Sequence, residues 1–316
     1  MIGRVSHRIP RFVCVTGPLL VCWLALTAGC ATTSEPVAFR FHPPKGLTYV
    51  QTYRLTRTVK MRESFTEVQE TKTRVTVRNN GNGYALLFHP ISDTVTSDGK
   101  PTSRSPLYQA MMTLDTSMQI DQNGKLVAVT GYDQLLPAYK RLLKKDRLAP
   151  STVNTVLDAE KVAIAKVKAG WRNHVGTLAG QTAQIGEVWQ RPTEVALPLI
   201  QVIIPVPSRV ALLDRVTRNG VSCVRVQTKY CGTPSSLRKE LQKRMEAEMD
   251  KKAGHNLQVE QIEITGEGER IVDPATLLAY SETQSQTTKL SLLTDDCGFG
   301  YTVEDKRELN YVYDAD

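Results

Sequence analysis

From Leu47 to Met61 the apolar side chains Leu47, Tyr49, Tyr53, Leu55, Val59 and Met61 all fall on odd positions, while the even positions are mostly Thr, Arg and Lys. Side chains of an extended chain alternate between two faces, so this pattern predicts a strand with one buried face and one wet one. The period recurs in a stretch ending at Val75 and Val77, from Tyr84 to Val95, and over Leu114, Thr116, Met118 and Ile120. Asp121-Gln122-Asn123-Gly124 then supplies an Asn-Gly turn into residues 125–130, which completes a hairpin. The last third repeats the chemistry at 221–230, 257–265, 278–293 and 301–313, where Tyr301, Val303, Leu309, Tyr311 and Tyr313 share odd positions. Alternation at both ends of one chain predicts a long antiparallel sheet made by both ends.

The middle changes period. Leu135, Leu136, Tyr139, Leu142 and Leu143 recur at helical spacing, with Asp133 placed as a cap and Pro137 in the first turn. A second helical stretch runs over 151–178 through Val156, Leu157, Ile164, Val167, Trp171 and Val175. Prolines 192, 198, 205 and 207 exclude a long helix after it, and an extended crossing segment is expected from near Ala196. Thr233 and Pro234 open a further helix to Ala253, whose narrow stripe of Leu237, Leu241, Met245 and Met249 suits covering a surface. The expected fold is α+β. A long, curved, half-barrel-like antiparallel sheet from residues 37–130 and 195–316 carries a helical insertion, 131–180, packed on one side. Residues 37–316 form one domain on this reading.

The N-terminus reads as an export signal. Residues 1–11 carry Arg4, Arg8 and Arg11 and no acid, and the apolar run from Phe12 to Leu26 is too short for a permanent span of roughly 20 residues. It ends in Leu26-Thr27-Ala28-Gly29-Cys30, which resembles the lipobox of bacterial lipoproteins, with Thr27 standing where the lipobox leucine is usual. The resemblance implies that residues 1–29 are removed and that Cys30 carries diacylglycerol. Residues 30–36 then form a polar tether. Ala31 in place of an aspartate implies the outer membrane, with the domain expected on its periplasmic face.

Export takes away three of the 40 basic residues and none of the 32 acidic ones, which leaves a modest +5. No dense basic patch with interleaved aromatics points to nucleic acid. Lys140, Arg141, Lys144, Lys145 and Arg147 make the densest basic face, which suits solvent or an anionic lipid surface. Ser236-Leu237-Arg238-Lys239 and Ser97-Asp98-Gly99-Lys100 both fit the Ser-x-x-Lys spacing of penicillin-binding serine enzymes, but no Lys-Thr-Gly follows either. His42, His89, His174 and His255 show no metal-ligand spacing, so neither a metal nor another cofactor is expected. The glycine runs at 79–83 and 266–268 read as turns or bulges at strand ends. No catalytic residue is assigned.

Lys45-Gly46-Leu47-Thr48-Tyr49, Gly186-Glu187-Val188-Trp189, and Gly266-Glu267-Gly268 leading to Val272-Asp273 resemble a family of uncharacterised bacterial envelope lipoproteins, defined only as a domain of unknown function. The plan of a meander curling around helices is also similar to the half-barrels of lipoprotein carriers, which hold acyl chains in a concave face. That likeness implies a non-enzymatic protein holding a lipid or other apolar molecule against inward residues Tyr53, Leu55, Val59, Leu309 and Tyr311. A structural or interaction lipoprotein with a filled core, docked to another envelope protein, stands as the alternative.

Three further thiols remain, Cys223, Cys231 and Cys297. Cys223 and Cys231 lie eight residues apart on one strand, roughly 26 Å if extended, beyond the ~7 Å a disulfide spans. If successive strands alternate in direction, Cys231 and Cys297 emerge at one end of the sheet. A Cys231–Cys297 bridge and a free Cys223 are expected.

Overall fold

In the computed structural model, which describes residues 35–200, 202–249, 258–293 and 298–314, the alternating segments are long strands. After the two-residue β1 (Val37–Ala38) come β2 (Thr48–Lys60), β3 (Ser64–Asn79), β4 (Gly83–Ser97) and β5 (Lys100–Pro101). Helix α1 (Pro106–Met111) precedes the hairpin of β6 (Thr116–Asp121) and β7 (Leu126–Thr130). Helices α2 (Leu135–Leu143) and α3 (Pro150–His174) follow, then β8 (Thr182–Ala183), β9 (Val188–Ala196), β10 (Ile203–Arg218) and β11 (Val221–Gly232). Helix α4 (Pro234–Met249) leads to β12 (Gln258–Val272), β13 (Ala279–Leu293) and β14 (Gly298–Tyr313). The signal, Cys30 and most of the tether lie outside the described residues, as do His255 and Cys297.

The fold is α+β, built on an open twelve-stranded antiparallel sheet in the order β7-β6-β4-β3-β2-β14-β13-β12-β11-β10-β9, with β5 beside β4. The first and last long strands are neighbours at its middle, in the register Tyr49 to Tyr313, Leu55 to Arg307 and Val59 to Val303. Odd positions of both therefore share one face, as the alternation predicts. Opposite them, Thr52, Arg54, Thr56, Glu304, Lys306 and Glu308 present a polar outer face. A membrane barrel turns an apolar band outward instead. Among the described residues no helix is long and apolar enough to cross a membrane.

The sheet is rolled. Ten gaps of about 4.8 Å would hold β7 and β9 roughly 48 Å apart in a flat sheet. Yet the last turn of α3 touches both edges. The Trp171 indole N–H donates to the Gly124 carbonyl in the β6–β7 turn at 2.9 Å. The Asn173 amide donates to the Glu194 carbonyl of β9 at 2.8 Å and accepts from its N–H at 3.0 Å. Helix α3 thus forms the seam that strand pairing leaves open, and it covers edges that would otherwise offer unpaired backbone groups.

Two apolar clusters fill the ends of the roll. One gathers Phe39, Phe41, Tyr49, Val77, Trp171, Leu178 and Leu212, with the small β1–β8 sheet against it. The other packs α4 through Leu237, Leu241 and Met245 onto Ile204, Ile262, Ile264, Val59 and Val303. The α4 stripe does fill a core, because β11 stops at Gly232 and leaves β12 uncovered there.

Three local expectations change. The crossing segment is a sixteen-residue strand, β10, and β9 already begins at Val188. Pro192 is tolerated on the edge strand, and Pro205 and Pro207 precede Ser208, where pairing of β10 with β11 begins. Helix α1 had no sequence signal beyond Ser105, which caps it by accepting from the Tyr108 N–H, and Pro106 at its first position. Gly266 and Gly268 lie in mid-strand, paired regularly to Tyr230 and Thr228. Cys297, one half of the expected Cys231–Cys297 bridge, lies outside the described residues. Cys231 pairs with Thr265, which pairs with Thr287, about 20 Å short of Leu293 at the end of β13. Strand direction alternates as expected, but β11 ends short of its neighbours. Cys223 and Cys231 are free thiols.

Candidate functional site

Between the two packed ends, α3 crosses the inner face of the sheet without filling it. Two adjoining chambers remain. One, of about 440 Å³, is walled chiefly by Phe41, Tyr49, Leu86, Phe88, Met111, Leu114, Val167, Trp171, Leu309, Tyr311 and Tyr313. The other, of about 670 Å³, is walled by Tyr53, Leu55, Arg57, Glu67, Arg104, Lys166, Glu282 and Arg307, among others. Tyr108, Gly170, His174 and Arg270 belong to both walls. Gly170 faces the junction, and a Cβ added there meets nothing within 4 Å.

The five residues expected to line a pocket divide. Leu309 and Tyr311 line the apolar chamber, and Tyr53 and Leu55 the polar one. Val59, fully buried, belongs instead to the packed cluster under α4, so its assignment is corrected. It sits at the far end of β2, where α4 closes the roll.

The polar chamber arises because inward positions in mid-sheet carry charges and amides. Arg57 grips Asp305 with two hydrogen bonds of 2.7 and 2.8 Å, and Arg307 donates to the same carboxylate at 3.2 Å. Arg307 also donates to Gln284, whose amide donates to the Tyr230 hydroxyl, which in turn donates to Gln286. Gln286 ends the chain on Thr288. Tyr230 spans from β11 to β13 because β12 has no side chain in its path. A Cβ on Gly266 would lie 2.3 Å from the Tyr230 ring. Burial works to raise the Asp305 carboxyl, but the charges and hydrogen bonds of Arg57 and Arg307 outweigh it and hold the group below the usual carboxylate range.

The Glu282 carboxylate lies 2.9 Å from Nδ1 of His174 across the gap to α3. Burial opposes its charge, yet His174, Arg270 and Arg307 bring its carboxyl below the ordinary range. On the other flank, Arg104 reaches Asp93 at 3.3 Å and Glu67 at 3.4 Å and lies 4.3 Å over the Tyr108 ring. Arg270 differs from all of these. Its residue is 8% exposed, it faces both chambers, and no carboxylate of the described residues lies within ion-pair distance of it. Burial pulls it below its ordinary value, opposed by the field of Glu282, its cross-strand neighbour.

The other sequence motifs serve structure. The Ser236 hydroxyl bonds Thr233 at the start of α4, and Ser97 and Lys100 are the closing pair of the β4–β5 hairpin. His42 bonds Tyr84, and His89 bonds Asp115. No cluster of three or more His, Cys, Asp or Glu suited to a metal exists among the described residues.

No known protein family and no curated protein matches the sequence. Among solved structures, the chain is similar to DynF from the dynemicin biosynthesis pathway of Micromonospora chersina, at 8% identity over 88% of this chain and 85% of that one, with a TM-score of 0.19. The translocator domain of the autotransporter NalP from Neisseria meningitidis is 10% identical over 85% and 89%, with a TM-score of 0.20. An outer membrane channel from Pseudomonas putida F1 is 7% identical over 86% and 98%, with a TM-score of 0.19. Scores of this size do not amount to a shared fold.

Proposed function

We propose that this chain is a lipid-anchored envelope protein, without enzymatic activity, that holds an apolar ligand inside the rolled sheet at the outer membrane. The observation that supports this most is the apolar chamber of about 440 Å³ left between α3 and the sheet. A ligand there would take apolar wall out of contact with water, and the volume lies within the range of ligand pockets. The resemblance of residues 26–30 to a lipobox supports the anchor. Uncharacterised envelope lipoproteins and lipoprotein carriers remain the likenesses on which the family reading rests.

The direct test is Gly170→Leu. A Cβ there meets nothing within 4 Å, so a leucine has open space to start into at the junction of the chambers, while removal of a helix-interior glycine favours α3 by up to about 1 kcal/mol. The variant is expected to fold at least as stably as the parent and to lose lipid seen by native mass spectrometry of the full chain purified from its own envelope. A parent that carries no lipid would instead favour the interaction module.

The anchor has its own test. Cys30→Ser is expected to strand the precursor or release the chain from membranes, because the polar residues that follow carry nothing to hold it there. A serine variant that is still processed and still labelled by radioactive palmitate would sink the assignment.

A further inference from the structure

Four carboxylates line the polar chamber, and each already has a basic partner. Glu67 pairs with Arg104, Glu194 with Arg172, Glu269 with Arg225 and Glu282 with His174. Arg57 and Arg307 are taken by Asp305. Two wall cations are left over. Arg270 is buried at the junction, more than 4 Å from every carboxylate of the described residues, and Lys166 stands exposed on α3 with no ion pair. The nearest unengaged polar groups are also donors. The hydroxyls of Tyr311, beside Arg270, and of Tyr53, beside Arg307, make no hydrogen bond to a described residue. Spare donors and spare positive charge thus adjoin an apolar chamber, and a buried cation without a partner is costly unless an anion reaches it.

Resting on the ligand-holding reading above, we infer that the ligand is an anionic amphiphile, with its chain in the apolar chamber and its carboxylate or phosphate head against Arg270. The planar guanidinium of Arg270 suits either head by a two-pronged hydrogen bond. Tyr311 and Tyr53 offer further donors, and Lys166 closes the solvent side. A neutral head would leave Arg270 without an ion pair, and a cationic head would meet the positive charges of Arg270 and Lys166.

The test uses the full chain in dodecylmaltoside micelles with long-chain diazirine probes that differ only in head group: carboxylate, phosphate, alcohol and ammonium. Labelled peptides are mapped after photolysis. The carboxylate or phosphate probe is expected to label peptides containing residues 167–175 or 309–313 at least about tenfold more than the ammonium probe, and the stronger of the two anions identifies the head. Arg270→Gln is expected to abolish that preference while alcohol labelling persists, which also reports that the variant has folded. Should that variant fail to fold, the head-group comparison on the parent chain decides alone. Equal labelling by all four heads, or preference for the alcohol or the ammonium, overturns the inference and leaves the ligand-holding reading intact. Absence of cavity labelling by every probe overturns both.

Discussion

Trp171→Ala is expected to lower the unfolding free energy by about 3–5 kcal/mol, the usual cost of truncating a buried tryptophan. The indole is 9% exposed and meets Phe41 edge-on, with ring centroids 5.3 Å apart. Phe41 meets Tyr84 in the same geometry, so the truncation opens a gap inside an aromatic cluster. It also strands the Gly124 carbonyl, which Trp171 satisfies inside the protein. Trp171→Phe separates the two effects, since it keeps much of the ring contact and loses only the hydrogen bond, for about 1–2 kcal/mol. Thermal unfolding checks both, at about 2–4 °C per kcal/mol for a large domain. The effect reaches beyond stability, because this turn of α3 is where both edges of the sheet are tied. A Trp171→Ala protein melting within two degrees of the parent would mean that the seam is held elsewhere.

That seam marks the limit of what could be read from the sequence. The central strands β2 and β14 were legible because their inward faces repeat with period two over twelve or more residues, and the Asn123-Gly124 turn fixed the β6–β7 hairpin. Helix α3 was legible from Val156 to Trp171. Rolling of the sheet was not, because it depends on which strands neighbour which across hundreds of residues, and on side chains such as Asn173 that no pattern singles out. Register was equally hidden. The stagger of β11 against β12 and β13 separates Cys231 from the level of Leu293, and no local signal gives a stagger.

The candidate site was half visible. Tyr53, Leu55, Leu309 and Tyr311 follow from parity, and the same parity places Arg57, Asp305 and Arg307 on the inner face. Counting only apolar residues discards them, although a charge at an inward position is the more informative observation. Val59 shares that parity yet lies in packed core, because parity gives the face and not the depth along the roll. Arg270 sits on the opposite parity to the strands of the centre, and only the pairing of β12 with β13 brings it beside Glu282. Gly170 looks like a flaw in a helix until the space around it is known.

Asp305→Asn carries the other large effect. The carboxylate is 1% exposed and neutralises both Arg57 and Arg307, so its removal leaves two inward guanidinium groups sharing no counter-charge. Removing one partner of a buried pair costs about 3–5 kcal/mol, and the lower end applies because Arg57 and Arg307 keep 23% and 24% of their side chains exposed. The pH dependence provides the sign. A carboxyl held below its unfolded value stabilises the fold fully above that value, near pH 4, and the contribution is lost as pH falls through the lowered folded value. The difference between parent and Asp305→Asn should therefore be full at neutral pH and close in acid, where the parent's Asp305 is itself neutral. Urea unfolding at a series of pH values measures it. A gap that stays constant from neutral pH to well below pH 4 would show that the asparagine acts through packing, and that the charge on Asp305 does not hold the polar band together.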